Sequence, residues 1–218
     1  QAGPPPLVDI QLSDQNQSPG SDGGIDANGV EALVRTARGQ YQVGNYQAAA
    51  TTYEKALKAG INTICIHKGL MPRDYEKAFA GTWEHATVND LGKAAKDWPK
   101  MNFVIYHAAL RPWLADKPDM EMAEFEKTGY IKWSTDLARI PEKFGVNNVY
   151  AELGSVFAST CVTDPRFCAA FVGQMVNLMG PDRVVWGTDS VWYGSPQWQI
   201  EAMRRLEIPE DMMKKQNW

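Results

Sequence analysis

Four apolar segments of the chain each end on or beside a side chain that can bind a metal ion or carry a proton. They are NTICIH (62–67), NFVIYH (102–107), NVYAEL (148–153) and RVVWGTD (183–189), and the side chains are His67, His107, Glu152 and Asp189. The chain has three histidines, and two of them stand at equivalent segment ends. Imidazole and carboxylate are ordinary ligands of Zn²⁺ and similar ions, and both groups can transfer protons. The pattern predicts that these side chains form one site. Glu152 would help to bind the metal or orient a ligand there, or would instead pair with a nearby Lys or Arg.

Asp189 also has an interpretation that needs no site. The sequence Gly-Thr-Asp-Ser at 187–190 is favourable in turns, and an aspartate there could cap a following helix over about residues 196–206. A single histidine after a strand is likewise usually a structural residue. We favour the site because two histidines and an aspartate occupy equivalent ends.

The elements that must position these side chains are short strands alternating with helices. Near-continuous apolar runs are typical of strands buried on both faces, and the alternation indicates an α/β fold with a parallel sheet. Because the carboxyl ends of parallel strands share one edge, the four polar side chains are expected on one rim. The candidate helices lie near residues 74–80, 87–98, 121–127, 134–144, 165–179 and 196–206.

The first 59 residues differ from the rest in composition. Residues 1–29 are rich in Pro, Gly, Ser and Asp and predict a flexible tail or linker, in which LVDIQLS (7–13) could pair as a strand. Residues 30–59 predict a helical hairpin that breaks at Gly44, and residues 38–58 resemble a single tetratricopeptide repeat. An ordinary helical hairpin explains the same pattern. The α/β domain is predicted over residues 60–218.

Charge and hydropathy argue against two classes of partner. The net charge is −4, and no basic run exceeds two residues, so nothing favours nucleic acid as a partner. No apolar stretch approaches the roughly 20 residues of a membrane span, so no membrane partner is expected.

The three cysteines do not form a disulfide framework. Cys65 is expected to be buried in its strand and inert, whereas Cys161 and Cys168 could pair in an exported protein. The first residue, Gln1, hints at a processed N-terminus. This slightly favours an exported location, periplasmic or extracellular, over a cytoplasmic one.

Three further side chains are candidates for binding a substrate. Lys68 and Arg111 closely follow the two strand-end histidines and could bind a carboxylate, although surface solvation is the favoured explanation for both. Trp192 stands close to Asp189 and could form part of a pocket wall, or could pack in the core.

Longer segments around these residues carry a family resemblance. ICIHKGL, NFVIYHAALRP, NVYAELGS and VVWGTDSVWYGSPQWQIEAMRRL resemble the C-terminal half of the amidohydrolase-related family, which includes the aminocarboxymuconate-semialdehyde decarboxylase-like enzymes. The resemblance implies a (β/α)₈ barrel with a divalent metal, usually zinc, with manganese as the other candidate. It implies that His67 and Asp189 bind the metal, that His107 is a ligand or a catalytic acid–base, and that Asp189 also handles the proton.

The chain departs from that family in two respects. It contains no H-x-H pair, and the closest analogue by position is Asp9-Ile10-Gln11-Leu12-Ser13, so half of the usual metal shell would be missing. A full barrel takes about 250 residues, whereas only four strand–helix units follow residue 60. The expected fold is therefore a partial barrel, either a fragment or part of an assembly. Its open sheet edges would favour a homo-oligomer or an assembly partner, and LVDIQLS could cover such an edge.

Together these features predict a metal-dependent hydrolase or non-oxidative decarboxylase whose substrate is a small organic acid or amide. The alternative is a secreted, non-catalytic assembly subunit that associates through its N-terminal strand and helical hairpin.

Overall fold

A computed structural model describes residues 27–43, 45–112 and 118–218 of the chain. It divides into two compact units, residues 1–60 and 61–218. The predicted strand LVDIQLS and most of the predicted tail lie outside the described residues, as does Gly44. None of the described helices is long and apolar enough to cross a membrane.

The first unit contains the two helices predicted from the sequence. Helix α1 spans Ala27–Gln42 and helix α2 spans Tyr46–Lys58, and the two helices pack against each other. Asn45 caps α2 by accepting a hydrogen bond from the Ala48 N–H, which explains why the chain turns here. The two helices are also joined by a hydrogen bond from Thr52 Oγ1 to Gln40 Oε1 at 2.8 Å. The helical hairpin is confirmed, but its likeness to a tetratricopeptide repeat has no further support.

The second unit is built on a parallel sheet of four strands in the order β1-β2-β3-β4. Consecutive strands along the chain are neighbours in the sheet, as in one part of a (β/α)₈ barrel. The predicted α/β class with four strand–helix units is therefore confirmed. The strands are β1 Thr63–His67, β2 Asn102–Tyr106, β3 Val149–Glu152 and β4 Val184–Val185.

The outer strand β1 is less buried than its sequence predicts. Its residues alternate between exposed and half-buried, whereas those of β2 alternate between half-buried and buried. The prediction that Cys65 is buried is wrong, since its side chain is exposed. An apolar sequence indicates that a strand tends to be buried. Which other elements cover the strand depends on its position in the sheet. Cys161 and Cys168 are free thiols and do not form the possible disulfide.

Helices of the second unit follow the predicted order and include three that were not predicted. Five of the six predicted helices are single helices: α3 Tyr75–Ala78, α4 Leu91–Asp97, α5 Pro118–Thr128, α9 Pro165–Met179 and α11 Gln197–Arg204. The helix predicted over residues 134–144 is instead two helices, α6 Ser134–Ala138 and α7 Ile140–Phe144. The additional helices are α8 Gly154–Thr160, α10 Ser190–Tyr193 and α12 Glu210–Gln216. Short 3₁₀ helices cover Trp83–Ala86 and Pro181–Arg183, and His107–Ala109 form a left-handed turn.

Helix α9 is the central helix of this core and packs against α5, α6 and α8. Its N-terminus is capped by Asp164, whose carboxylate accepts the Phe167 N–H at 3.0 Å. On its buried face, Gly173 leaves room for the ring of Trp218, because a Cβ atom there would lie 2.4 Å from that ring. Close packing at the end of the chain thus depends on a residue without a side chain.

Candidate functional site

The C-terminal ends of β1, β2 and β4 bring the predicted site residues together. His67 ends β1, and His107 directly follows β2. Their Nε2 atoms are 3.1 Å apart, and their ring centroids are 4.5 Å apart. Asp189 follows β4, and its Oδ2 atom lies 3.6 Å from Nδ1 of His107. His107 therefore lies between His67 on one side and Asp189 on the other.

The backbone at two of these residues is left-handed. His107 has φ of 58°, and Asp189 has φ of 45°; Ala108 and Ala109 continue the left-handed turn. This conformation costs roughly 1–2 kcal/mol per residue with a side chain, and it persists only where the surroundings enforce it. The turn is held in part by parallel pairing beyond the strands, where the Leu70 N–H donates to the Leu110 carbonyl at 2.5 Å.

Glu152 is the most buried carboxylate beside this site, with 7% of its surface exposed. It lies at the end of β3, and its Oε2 atom accepts the backbone N–H of His107 at 3.2 Å. Burial raises the pKa of Glu152, as does the charge of Asp189, while the bond from the His107 N–H opposes the rise. In the part of the chain that the structure describes, the carboxylates that pair with Lys or Arg do not include Glu152, so the alternative of a local ion pair has no support there. The carboxylate instead braces the left-handed turn at His107.

Two glycines allow the backbone to approach Glu152. A Cβ atom at Gly187 would lie 1.9 Å from Glu152 Oε1, and one at Gly154 would lie 2.7 Å from Oε2. Gly154 also has φ of 33°, in the left-handed region. The sequence pattern did not predict either role, although both glycines directly follow apolar strand segments, where close backbone approach is common.

His107 is 5% exposed, and its environment disfavours the charged imidazolium. Burial is the main cause that lowers its pKa to about 4, and His67 lowers it further, while Asp189 opposes the shift. A buried imidazole with this pKa is neutral near pH 7, so it offers one N–H and one lone pair.

Ser155 contacts both His107 and Asp189 but was not predicted from the sequence. Its backbone N–H donates to Nδ1 of His107 at 3.2 Å, and its hydroxyl donates to Oδ2 of Asp189 at 2.6 Å. It lies in the first turn of α8, a helix absent from the predicted set. The sequence feature that could have indicated Ser155 as a site residue is its position shortly after the polar end of a strand.

The capping interpretation of Asp189 is wrong. The residue directly precedes α10, but its side chain makes no capping hydrogen bond, and the helix it was expected to cap begins only at Gln197. Its backbone is held instead through Thr188, whose carbonyl accepts a hydrogen bond from Nε2 of the buried Gln199 at 2.7 Å.

Lys68 and Arg111 are both buried, so surface solvation is the wrong explanation for them. The Lys68 ammonium donates to the His85 carbonyl at 2.7 Å and to Asp90 at 3.0 Å. The Arg111 guanidinium donates to Glu76 and lies over the ring of Trp133, 5.2 Å from its centroid. Binding of a substrate by Lys68 or Arg111 stays a prediction, and it would have to compete with these contacts.

Trp192 is 80% exposed on α10, so core packing is the wrong explanation for it. Its neighbour Tyr193 is anchored, since its hydroxyl lies 2.8 Å from Oγ of Ser159. A role for Trp192 in a pocket wall stays a prediction.

The Arg111–Glu76 pair predicts an acid-dependent loss of stability. The hydrogen bond from Arg111 lowers the pKa of Glu76 from 4.5 to about 2. The stabilisation is complete above the unfolded-state pKa of 4.5 and is lost as the pH falls toward 2. Glu76→Gln is expected to lower the free energy of unfolding by about 2 kcal/mol at neutral pH, and this difference should shrink through that window. Urea unfolding across the pH range measures it. Glu54→Gln, at an exposed position of α2, is the control, and a difference that stays constant with pH would contradict the assignment.

Comparison with known proteins gives one match to a family model and several structural likenesses. Structures similar to this chain include an amidohydrolase from Burkholderia multivorans with bound zinc, at 13% identity and a TM-score of 0.43, with 87% of this chain and 54% of that one covered. A putative 2-pyrone-4,6-dicarboxylic acid hydrolase from Pseudomonas putida has 12% identity and a TM-score of 0.37, with 76% of this chain and 63% of that one covered. For 5-carboxyvanillate decarboxylase from Sphingomonas paucimobilis the identity is 14% and the TM-score 0.37, with 88% and 74% covered.

The chain thus spans about half the length of the first of these structures. No curated protein matches it. The family model described as amidohydrolase matches residues 29–215, which is most of the chain. This protein therefore belongs to the amidohydrolase family.

Proposed function

We propose that this chain carries the C-terminal part of the active site of a metal-dependent hydrolase or non-oxidative decarboxylase. The substrate would be a small organic acid or amide. The observation that carries the proposal is that His67, His107 and Asp189 lie side by side at one edge of the sheet. Nε2 of His67 is 3.1 Å from Nε2 of His107, and Oδ2 of Asp189 is 3.6 Å from Nδ1 of His107. Membership of the amidohydrolase family supports the reaction class.

The chemistry assigned to this chain is proton transfer. In hydrolysis, Asp189 would accept a proton from the attacking water as the new C–O bond forms, and it would return that proton to the leaving nitrogen or oxygen as the old bond breaks. His107, which lies beside Asp189, would take part as a neutral hydrogen-bonding group. In decarboxylation, the C–C bond breaks as CO₂ leaves, and the carbon that keeps the electron pair would take up a proton that Asp189 relays from water. Glu152, which lies behind His107, would hold the turn in place rather than contact the substrate.

The described residues supply suitable ligand types for a divalent metal but not a complete ligand set. Among them, no group of three or more His, Cys, Asp or Glu side chains is arranged to hold one ion. Asp189 faces Nδ1 of His107, whereas His67 faces Nε2, so the three side chains do not converge on one point. A divalent ion, zinc ahead of manganese, stays a prediction.

The first experiment measures metal content and turnover together. The purified chain is analysed by plasma mass spectrometry and assayed against small aromatic carboxylic acids, lactones and amides. We expect about one equivalent of metal and turnover of at least one compound. His67→Ala should lose both, whereas His85→Ala should lose neither, because the His85 side chain is exposed outside the site. Neither metal nor turnover in the parent chain would contradict the proposal.

One observation favours assembly as a second function. Within the described part of the sheet, β1 and β4 each have one edge without a neighbouring strand, and Val185 on β4 is 40% exposed. Unpaired edges are templates for pairing with another strand. Light scattering of the intact chain and of a chain lacking residues 1–29 tests this function. A monomer in both cases would count against it.

A further inference from the structure

Ser155 bonds to two candidate catalytic side chains through two different groups. Its backbone N–H donates to His107, and its hydroxyl donates to Asp189. The side chains it joins come from different strand ends, 34 and 48 residues away in sequence. Each contact has a separate chemical consequence.

The contact with His107 selects a tautomer. A backbone N–H can only donate, so Nδ1 of His107 must present its lone pair to Ser155. In neutral imidazole the single ring proton then lies on Nε2. That atom is 3.1 Å from Nε2 of His67, where the proton makes a hydrogen bond and His67 accepts it.

The competing arrangement would place the proton on Nδ1 and donate it to Asp189. Oδ2 of Asp189 is 3.6 Å from Nδ1, beyond hydrogen-bond distance, whereas the Ser155 nitrogen is 3.2 Å away. A histidine that binds a metal through Nε2 normally donates its other N–H to an acceptor, and here the nearest group to Nδ1 is a donor. The single proton of neutral His107 is therefore expected on Nε2 rather than on Nδ1.

The contact with Asp189 fixes the orientation of the Asp189 carboxylate. The Ser155 hydroxyl donates a hydrogen bond to Oδ2 at 2.6 Å, and Oδ1 takes no part in that bond. Hydrogen bonds to a charged acceptor are short and strong, and they limit rotation of the side chain.

We propose that Ser155 is a positioning residue of this site, whose backbone N–H holds His107 with its proton on Nε2 and whose hydroxyl orients the Asp189 carboxylate. The catalytic meaning of this inference rests on the proposed function, but the two contacts can be tested without a substrate.

The tautomer is tested by NMR. Long-range ¹H–¹⁵N correlation of the chain labelled at histidine separates protonated from unprotonated ring nitrogens, and the His107→Gln variant assigns the signals. We expect His107 to show a protonated Nε2 and an unprotonated Nδ1 at neutral pH. A proton on Nδ1, or on both nitrogens, would overturn the assignment.

The hydroxyl contact is tested by a double-mutant cycle in urea. Ser155→Ala removes the hydroxyl but keeps the backbone N–H, so the His107 tautomer should not change. The shift in urea midpoint for Ser155→Ala combined with Asp189→Ala should be smaller than the sum of the two single shifts, because both single variants break the same bond. Additive shifts would mean that the hydroxyl does not hold Asp189.

Kinetics then distinguish positioning from a general structural role. On any compound that the parent turns over, Ser155→Ala should lower kcat by roughly 10- to 100-fold with little change in KM, and Ser155→Thr should restore most of the loss. An unchanged kcat in Ser155→Ala would overturn the positioning role. If the parent turns over nothing, the proposed function fails, while the NMR result and the mutant cycle still decide on Ser155.

Discussion

Gly187→Ala is expected to destabilise the α/β unit and to disorganise the candidate site. The new methyl group would lie 1.9 Å from Oε1 of Glu152, far inside van der Waals contact. Glu152 is buried and its other oxygen accepts the His107 N–H, so it cannot move without loss of that bond. Forcing atoms into a packed site costs about 1–3 kcal/mol, which urea unfolding measures as a lower midpoint.

Two variants separate this clash from a general effect of replacing glycine. Gly39→Ala adds a methyl group on helix α1 with no atom within 4 Å, so it should be neutral or slightly stabilising. Glu152→Ala removes the side chain that the methyl group would strike. Gly187→Ala should therefore cost much less in the Glu152→Ala background than in the parent. An equal cost in both backgrounds would show that the strain arises elsewhere.

Asp189→Asn is expected to produce the largest loss of activity. The amide keeps the size of the carboxylate and can still accept the Ser155 hydroxyl, but it is neutral and cannot take up a proton at ordinary pH. On a compound that the parent turns over, we expect kcat/KM to fall by roughly 10²- to 10⁴-fold, the usual contribution of a positioned acid or base. The urea midpoint should change little.

The control for this variant is Asp182→Asn. Asp182 is an exposed aspartate in the 3₁₀ helix that precedes β4, so its replacement alters the net charge equally. Parent-like activity in Asp182→Asn and a large loss in Asp189→Asn would assign the effect to the site. Full activity in Asp189→Asn would exclude Asp189 as the group that transfers the proton.

The local elements could be read from the sequence because their signals are themselves local. Helix α9 occupies the predicted range, Pro165–Met179, since a capping aspartate and a proline begin it and a glycine follows it. The strands could be placed because apolar runs with polar ends are bounded by turn residues. Helix α8 was missed, because its sequence GSVFAST has few strong helix formers and its burial comes from neighbouring elements.

The burial of a side chain, and the groups with which it forms hydrogen bonds, depend on distant parts of the chain. Cys65 and Ile105 both lie in apolar runs, yet Cys65 is exposed on an outer strand and Ile105 is fully buried in an inner one. Lys68 and Arg111 appeared free to solvate or to bind a substrate, but each finds a carboxylate 22 or 35 residues away in sequence.

The sequence by itself determined that the chain alternates strands with helices and that His67, His107 and Asp189 stand at strand ends. Those properties follow from the period of apolar residues and from the shared edge of parallel strands. Only the tertiary structure decided that Glu152 braces the His107 turn, that Gly187 must lack a side chain, and that Ser155 joins His107 to Asp189. Each of these contacts joins residues that are far apart in sequence but only a few ångströms apart in space. A local sequence pattern does not contain that information.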